Sequence, residues 1–138
     1  MSSKSKTFHF LVTLTILIYC LVYSHAYIVR RDLPTGTKAL ATFNNLGGSI
    51  TFTKLDTGGT SLNGQFTKGI TESNPKNCAL QIGELTFTFF DLNIQITPPG
   101  TDVFTPAFPV LFDNFVGDLV QVQQNNQTID QANIVVQN

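Results

Sequence analysis

Residues Gly47 to Phe66 read "GGSITFTKLDTGGTSLNGQF". Apolar and polar side chains alternate through Ile50-Thr51-Phe52-Thr53, so Ile50 and Phe52 face one side of an extended chain and the threonines the other. "DTGG", residues 56–59, is a hairpin-type turn, with glycines where φ must be positive. Past the turn, Leu62 and Phe66 return to a common face. Gly64 lies between them, marking either a bulge or a point where another backbone comes close. A hairpin of this kind, half apolar and half hydroxyl-bearing, predicts a sheet with one buried face.

The rest of the chain extends the pattern. "ALATFNN" (39–45) alternates weakly ahead of the hairpin, and "TESNPKN" (71–77) is a polar connection after it. "CALQIGELTFTFFDLNIQI" (78–96) is too long for one flat strand and should break near Gly83-Glu84, with Leu85, Phe87 and Phe89 on the second half. In the first half, Leu80 and Ile82 share a face opposite Ala79, Gln81 and Gly83. Thr97-Pro98-Pro99-Gly100 is a strong stop, and "TDVFTPAFPVLFDNF" (101–115) reads as an apolar loop. "VGDLVQVQQ" (116–124) sets Val120 and Val122 against Leu119 and Gln121; "NNQTID" turns and "ANIVVQ" closes the chain. About seven to eight short strands separated by turns predict an all-β fold, an antiparallel Greek-key sandwich or flattened barrel.

The first 26 residues stand apart. Lys4 and Lys6 precede the apolar run "FHFLVTLTILIYCLVY", and "SHA" puts small Ser24 and Ala26 where a signal peptidase reads. A membrane anchor needs roughly 20 apolar residues, whereas this run is shorter and interrupted by Thr13 and Thr15. The expected organisation is a helical signal peptide over residues 1–26, an N-terminal tail over 27–38 and a single β-sandwich domain over 39–138, in a secreted, extracellular protein. Within the tail, Arg30-Arg31 is either a dibasic processing site ending at Arg31 or a pair of solvated arginines.

Beyond the leader the chemistry thins out. From Asp32 onward there is no histidine and no arginine, and four lysines face nine carboxylates, a formal charge of −5. That balance argues against nucleic acid and against anionic membrane surfaces, which need clustered Lys and Arg. Cys78 is the single remaining cysteine, so no internal disulfide forms; it is either buried as a small apolar residue or a free thiol open to an intermolecular bridge. A nucleophile has no histidine to activate it, and there is no Gly-x-Ser-x-Gly elbow. Asp91, Asp102, Asp113 and Asp118 could in principle pair for acid–base work, but their Pro, Gly and Asn neighbours read as turns. With no histidine and one thiol, a zinc or copper site lacks ligands, and no cofactor is expected. Asn126 opens the sequon "NQT". The phenylalanines beyond the leader are either core filler or the lining of a cavity for a hydrophobic small molecule, rimmed by "FTPAFPVLF".

The order "GGSITFTKL", "GGTSLNGQFTKGITE", "CALQIGE" and, much later, "FVGDLVQVQ" resembles the strand sequence of the copper/zinc superoxide dismutase family over most of residues 40–124. The resemblance implies an eight-stranded Greek-key barrel or sandwich. It also implies where metal ligands would stand. The family's Phe-His-Val-His strand falls on Leu80-Gln81-Ile82-Gly83, and its late Ile-Gly-Arg strand falls on Val116 to Gln123. Gly117 matches, but Gln81, Gly83 and Gln123 occupy histidine positions. The family's long zinc loop, its disulfide and its guiding arginine have no counterpart. The implied scaffold therefore lacks the copper redox cycle, and the expected role is non-enzymatic: a binding or surface-interaction module for a protein or surface partner. A carrier of a hydrophobic ligand and a superoxide-dismutase-related metal-binding protein are the alternatives.

Overall fold

A computed structural model describes residues 32–108 and 110–137; the leader, Ala26, Arg30 and Arg31 lie outside the described residues. The fold is all-β and its sheets are antiparallel. One sheet runs in the order β11-β1-β2-β3-β8, built from β1 (Lys38–Phe43), β2 (Gly48–Lys54), β3 (Thr60–Gln65), β8 (Ala107–Phe108) and β11 (Val135–Val136). The second runs β10-β9-β4-β5, built from β4 (Cys78–Ile82), β5 (Leu85–Thr88), β9 (Leu119–Gln124) and β10 (Gln127–Asn133). A small hairpin of β6 (Ile96–Thr97) and β7 (Gly100–Thr101) stands apart. Seven of these strands have four residues or more, and the other four are two-residue pairings.

The central hairpin pairs as its alternation requires. Ile50 stands opposite Gly64, Thr51 opposite Asn63 and Phe52 opposite Leu62. Ile50, Phe52 and Leu62 are buried, while the threonines are only partly covered. The register has no shift, so Gly64 is a close approach and not a bulge. It exchanges two backbone hydrogen bonds with Phe104, at 3.0 and 2.9 Å. A Cβ at Gly64 would lie 2.7 Å from the Phe104 ring and 2.8 Å from the Ser49 carbonyl oxygen, closer than packed atoms tolerate.

Leu80, Ile82, Val120 and Val122 of the second sheet and Ala39, Ala41, Ile50 and Phe52 of the first belong to one buried core. Phenylalanines tie the sheets together. Phe87 on β5 meets Phe108 on β8 edge-on with centroids 4.7 Å apart, and Phe52 on β2 lies 5.3 Å from Phe115. Phe66 touches Phe43, Phe89 and Phe104. Each buried ring contributes about 1.5–3 kcal/mol, and each edge-to-face or offset pair about 0.5–1.5 kcal/mol more. The aromatic cluster, more than the hairpins, therefore holds the sheets together.

Three local readings change. "FTPAFPVLF" is not a rim: Phe104, Phe108 and Phe112 are buried in the core. β5 ends at Thr88, because Asp91 accepts hydrogen bonds from the Thr88 backbone N–H and hydroxyl and so turns the chain. Phe89 is thus buried beyond the strand, while Leu85 at its start is 47 % exposed. Finally, "NNQTID" is mostly strand. Asn125 and Asn126 alone form the turn, both with positive φ (52° and 62°), the backbone of a two-residue hairpin matched to strand twist. The chain then crosses at buried Ile134, and β11 joins the opposite sheet beside β1.

Candidate functional site

The three positions that would hold metal in the resembled family do meet. β4 and β9 pair with Ala79 opposite Gln123 and Gln81 opposite Gln121. Gln123 Nε2 donates to Gln81 Oε1, and Gln81 Nε2 donates to the Gly83 carbonyl at 3.2 Å. All three lie on the outer face of the second sheet, because Cys78, Leu80 and Ile82 take the inner one. One bond thus links the two amides, and a second ties Gln81 to the backbone at Gly83. Their neutral carbonyl oxygens are poor ligands for copper or zinc, which take imidazole and thiolate. Among the described residues no three His, Cys, Asp or Glu side chains gather as a metal group.

Cys78 is fully buried at the head of β4. Burial, reinforced by the nearby Glu72 charge, pushes its thiol up to about 11, so at neutral pH it is a protonated, apolar side chain. Of the two roles open to it, the structure shows the packed one. The candidate carboxylates are dispersed. Asp91 serves Thr88, Asp102 accepts from the Thr97 hydroxyl at 2.7 Å, Asp113 pairs with Lys54, and Asp118 is exposed ahead of β9. Asn126 sits at the exposed tip of the β9–β10 hairpin.

A concave feature lies elsewhere, on the outer face of the first sheet. A groove of about 310 Å³ runs over β2 and β3, with Ser49, Thr51, Asn63, Gln65 and Thr67 along it and the exposed Val103 at one edge. Gly48 lets the strands close beneath it, since a Cβ there would fall 1.9 Å from the Gln65 carbonyl oxygen. Pairing sets Ser49 beside Gln65 and Thr51 beside Asn63, so hydroxyls and amides stand in two rows. Gln65 donates weakly to the Thr101 carbonyl at 3.4 Å, and the Thr67 hydroxyl donates to the Gly47 carbonyl at 2.7 Å. Among the described residues, the side chains of Ser49, Thr51 and Asn63 make no hydrogen bond. The lining carries no charge.

Two polar centres escaped the sequence reading. Lys54 continues the parity of Ile50 and Phe52, so it points inward; its side chain is 7 % exposed and held by Asp32 and Asp113. Those carboxylates raise the lysine above its ordinary value, and the lysine in turn lowers Asp32. The parity of "SITFTK" was the available signal. Asp130 on β10 is also buried. Its Oδ2 accepts from the backbone N–H groups of Asn45 and Leu46 at 2.8 and 3.0 Å, and Oδ1 accepts from Gln131 N at 2.9 Å. It pins the β1–β2 turn, whose Gly47 lines the groove, to the opposite sheet.

No family model, no curated protein and no solved structure matches this chain.

Proposed function

We propose that this protein is a small secreted, non-enzymatic binding or surface-interaction module on a superoxide-dismutase-like Greek-key sandwich. Its contact surface is the groove over β2 and β3, and its ligand a neutral, hydroxyl-rich one such as a polysaccharide. One observation carries the reading: the unspent hydrogen-bonding groups of Ser49, Thr51 and Asn63 line a concave, uncharged face. Sugar hydroxyls are matched by such amides and hydroxyls, each bond adding about 0.5–1.5 kcal/mol. A phosphate or carboxylate ligand would call instead for Arg or Lys. The Greek-key reading is supported by β9, which returns beside β4 after a long excursion through β5 to β8. The exposed hairpin tip at Asn126 suits an N-glycan in a secreted protein, and a mobility shift on treatment with an N-glycosidase, lost in Asn126→Gln, tests it.

The deciding experiment is binding of the purified protein to an array of neutral polysaccharides and oligosaccharides, run with native mass spectrometry. Binding that falls at least fivefold in Asn63→Ala supports the reading. A co-purified apolar molecule with no saccharide binding would replace it with the hydrophobic-carrier reading. Stoichiometric copper with superoxide decay activity would replace it with the metalloprotein reading.

A further inference from the structure

The groove over β2 and β3 offers more than hydroxyls. The antiparallel bridge between Gly64 and Phe104 brings Val103 alongside Gln65, and strand pairing puts Ser49 on the other side of Gln65. An apolar side chain, an amide and a hydroxyl thus stand in one row across the strands, with neighbouring Cβ atoms about 4.5–5.5 Å apart. Val103 is 63 % exposed, and among the described lining residues it is the one apolar side chain larger than glycine. Gln65 Nε2 is turned to the Thr101 carbonyl, which leaves Oε1 as an acceptor with no donor among the described residues. Asn63 lies two positions along the same exposed face of β3, with its amide open.

We propose that the groove recognises the acetamido group of an N-acetylhexosamine within a neutral oligosaccharide. The proposal rests on the neutral-saccharide reading of this site and names the sugar class. An N-acetylhexosamine presents a methyl group, an amide and the adjacent ring hydroxyl in that order, which is the order of Val103, Gln65 and Ser49. The acetyl methyl packs on Val103 and leaves water. The amide N–H donates to Gln65 Oε1, and the ring hydroxyl beside it pairs with the Ser49 hydroxyl. Asn63, which both donates and accepts, takes a further ring hydroxyl. An unsubstituted hexose gives the hydroxyls their partners but has no methyl group for Val103 and no N–H for Gln65. An acidic acetamido sugar is opposed by the nine carboxylates that face four lysines from Asp32 onward. The groove, about 310 Å³, is at the small end of ligand sites, about 300–1,000 Å³, which suits a short stretch of sugar chain. The acetamido group occurs both in β-1,4-linked polymers and in protein-linked glycans, and the test separates these sources.

The purified protein is titrated by calorimetry with the β-1,4-linked tetramer of N-acetylglucosamine, the β-1,4-linked tetramer of glucose, and a glycopeptide carrying N-acetylgalactosamine. A buried methyl is worth about fourfold in affinity and an amide hydrogen bond about two- to tenfold. At least one acetamido probe should therefore bind about tenfold more tightly than the glucose tetramer, and the tighter of the two names the source, polymer or protein-linked glycan. Val103→Ser should weaken that probe about fourfold and Gln65→Ala about two- to tenfold, with the glucose tetramer unchanged by Val103→Ser; both side chains are exposed, so the fold tolerates the changes. Equal binding of the glucose tetramer, or failure of both acetamido probes while another neutral saccharide binds, overturns the acetamido assignment and leaves the neutral-saccharide reading standing. Binding to no neutral saccharide overturns both. An acetamido preference that survives both substitutions unchanged overturns the contact at Val103 and Gln65.

Discussion

Replacing Asp130 by alanine should unlatch the β1–β2 turn. The carboxylate accepts from Asn45 N, Leu46 N and Gln131 N, and more weakly from Asn45 Nδ2 at 3.4 Å. Leu46 is 1 % exposed, so its N–H has no water to turn to once the acceptor is gone. A stranded buried donor costs about 1–3 kcal/mol, and each lost bond to a charged group about 1.5–3 kcal/mol. These terms overlap, since the same N–H is counted in both, and the solvent-facing Asn45 and Gln131 amides recover most of their loss in water. The net expectation is about 3 kcal/mol, a large part of the roughly 5–15 kcal/mol that holds a domain together. For a chain of this size that lowers the melting temperature by about 10–15 °C. The protein has no tryptophan, so urea unfolding is followed by far-ultraviolet circular dichroism, with the slope against denaturant unchanged. Asp130→Asn keeps one acceptor oxygen and should lose about half as much. A loss in Asp130→Ala below about 0.5 kcal/mol, with slow hydrogen exchange retained at the Leu46 amide, would refute the reasoning.

Gly64→Ala forces a methyl group into the Phe104 ring and the Ser49 carbonyl; a loss of about 1–3 kcal/mol in urea unfolding is expected, and an unchanged midpoint would contradict the close approach. Stability should fall at both ends of the pH scale. Asp32, Glu72 and Asp91 are held below the ordinary carboxylate value, so what they contribute is present above about pH 4 and lost as pH falls below it. Cys78 moves from 9.0 to about 11, so its contribution is intact below pH 9 and disappears as pH rises through about 11; Lys54 is raised above its ordinary value by Asp113 and Asp32, so its contribution is likewise lost at the alkaline end, and melting temperatures between pH 2 and pH 12 check both limbs. The Cys78 thiol should resist an aromatic disulfide reagent in native protein and react fully in denaturant, at least a hundredfold faster; rapid native labelling would contradict its burial.

The central hairpin was legible because strict alternation has one buried solution, and the same rule already implied the inward Lys54. Two-residue strands such as β7 and β8 left no trace, since two residues define no period. Periodicity carried the strand on to Phe89, but the Thr88 hydroxyl and N–H donate to the Asp91 carboxylate and decide where it stops. Asp130 was hidden for another reason. Its partners lie 85 and 84 residues away in sequence, and the irregularity between Thr128 and Asp130 resets the parity of β10. The Gln81–Gln123 contact joins side chains 42 residues apart, and the groove depends on how β2, β3 and the segment at Val103 enclose space; no linear pattern records either.

Where a neutral oligosaccharide touches the protein is the most direct test of the groove. Titrating isotopically labelled protein with the tightest-binding neutral oligosaccharide, and following backbone and side-chain amides by nuclear magnetic resonance, should shift Ser49, Thr51, Asn63, Gln65 and Thr67 while Gln81, Gln121 and Gln123 stay still. Shifts confined to the Gln81–Gln123 face, or to amides of the aromatic core, would contradict it.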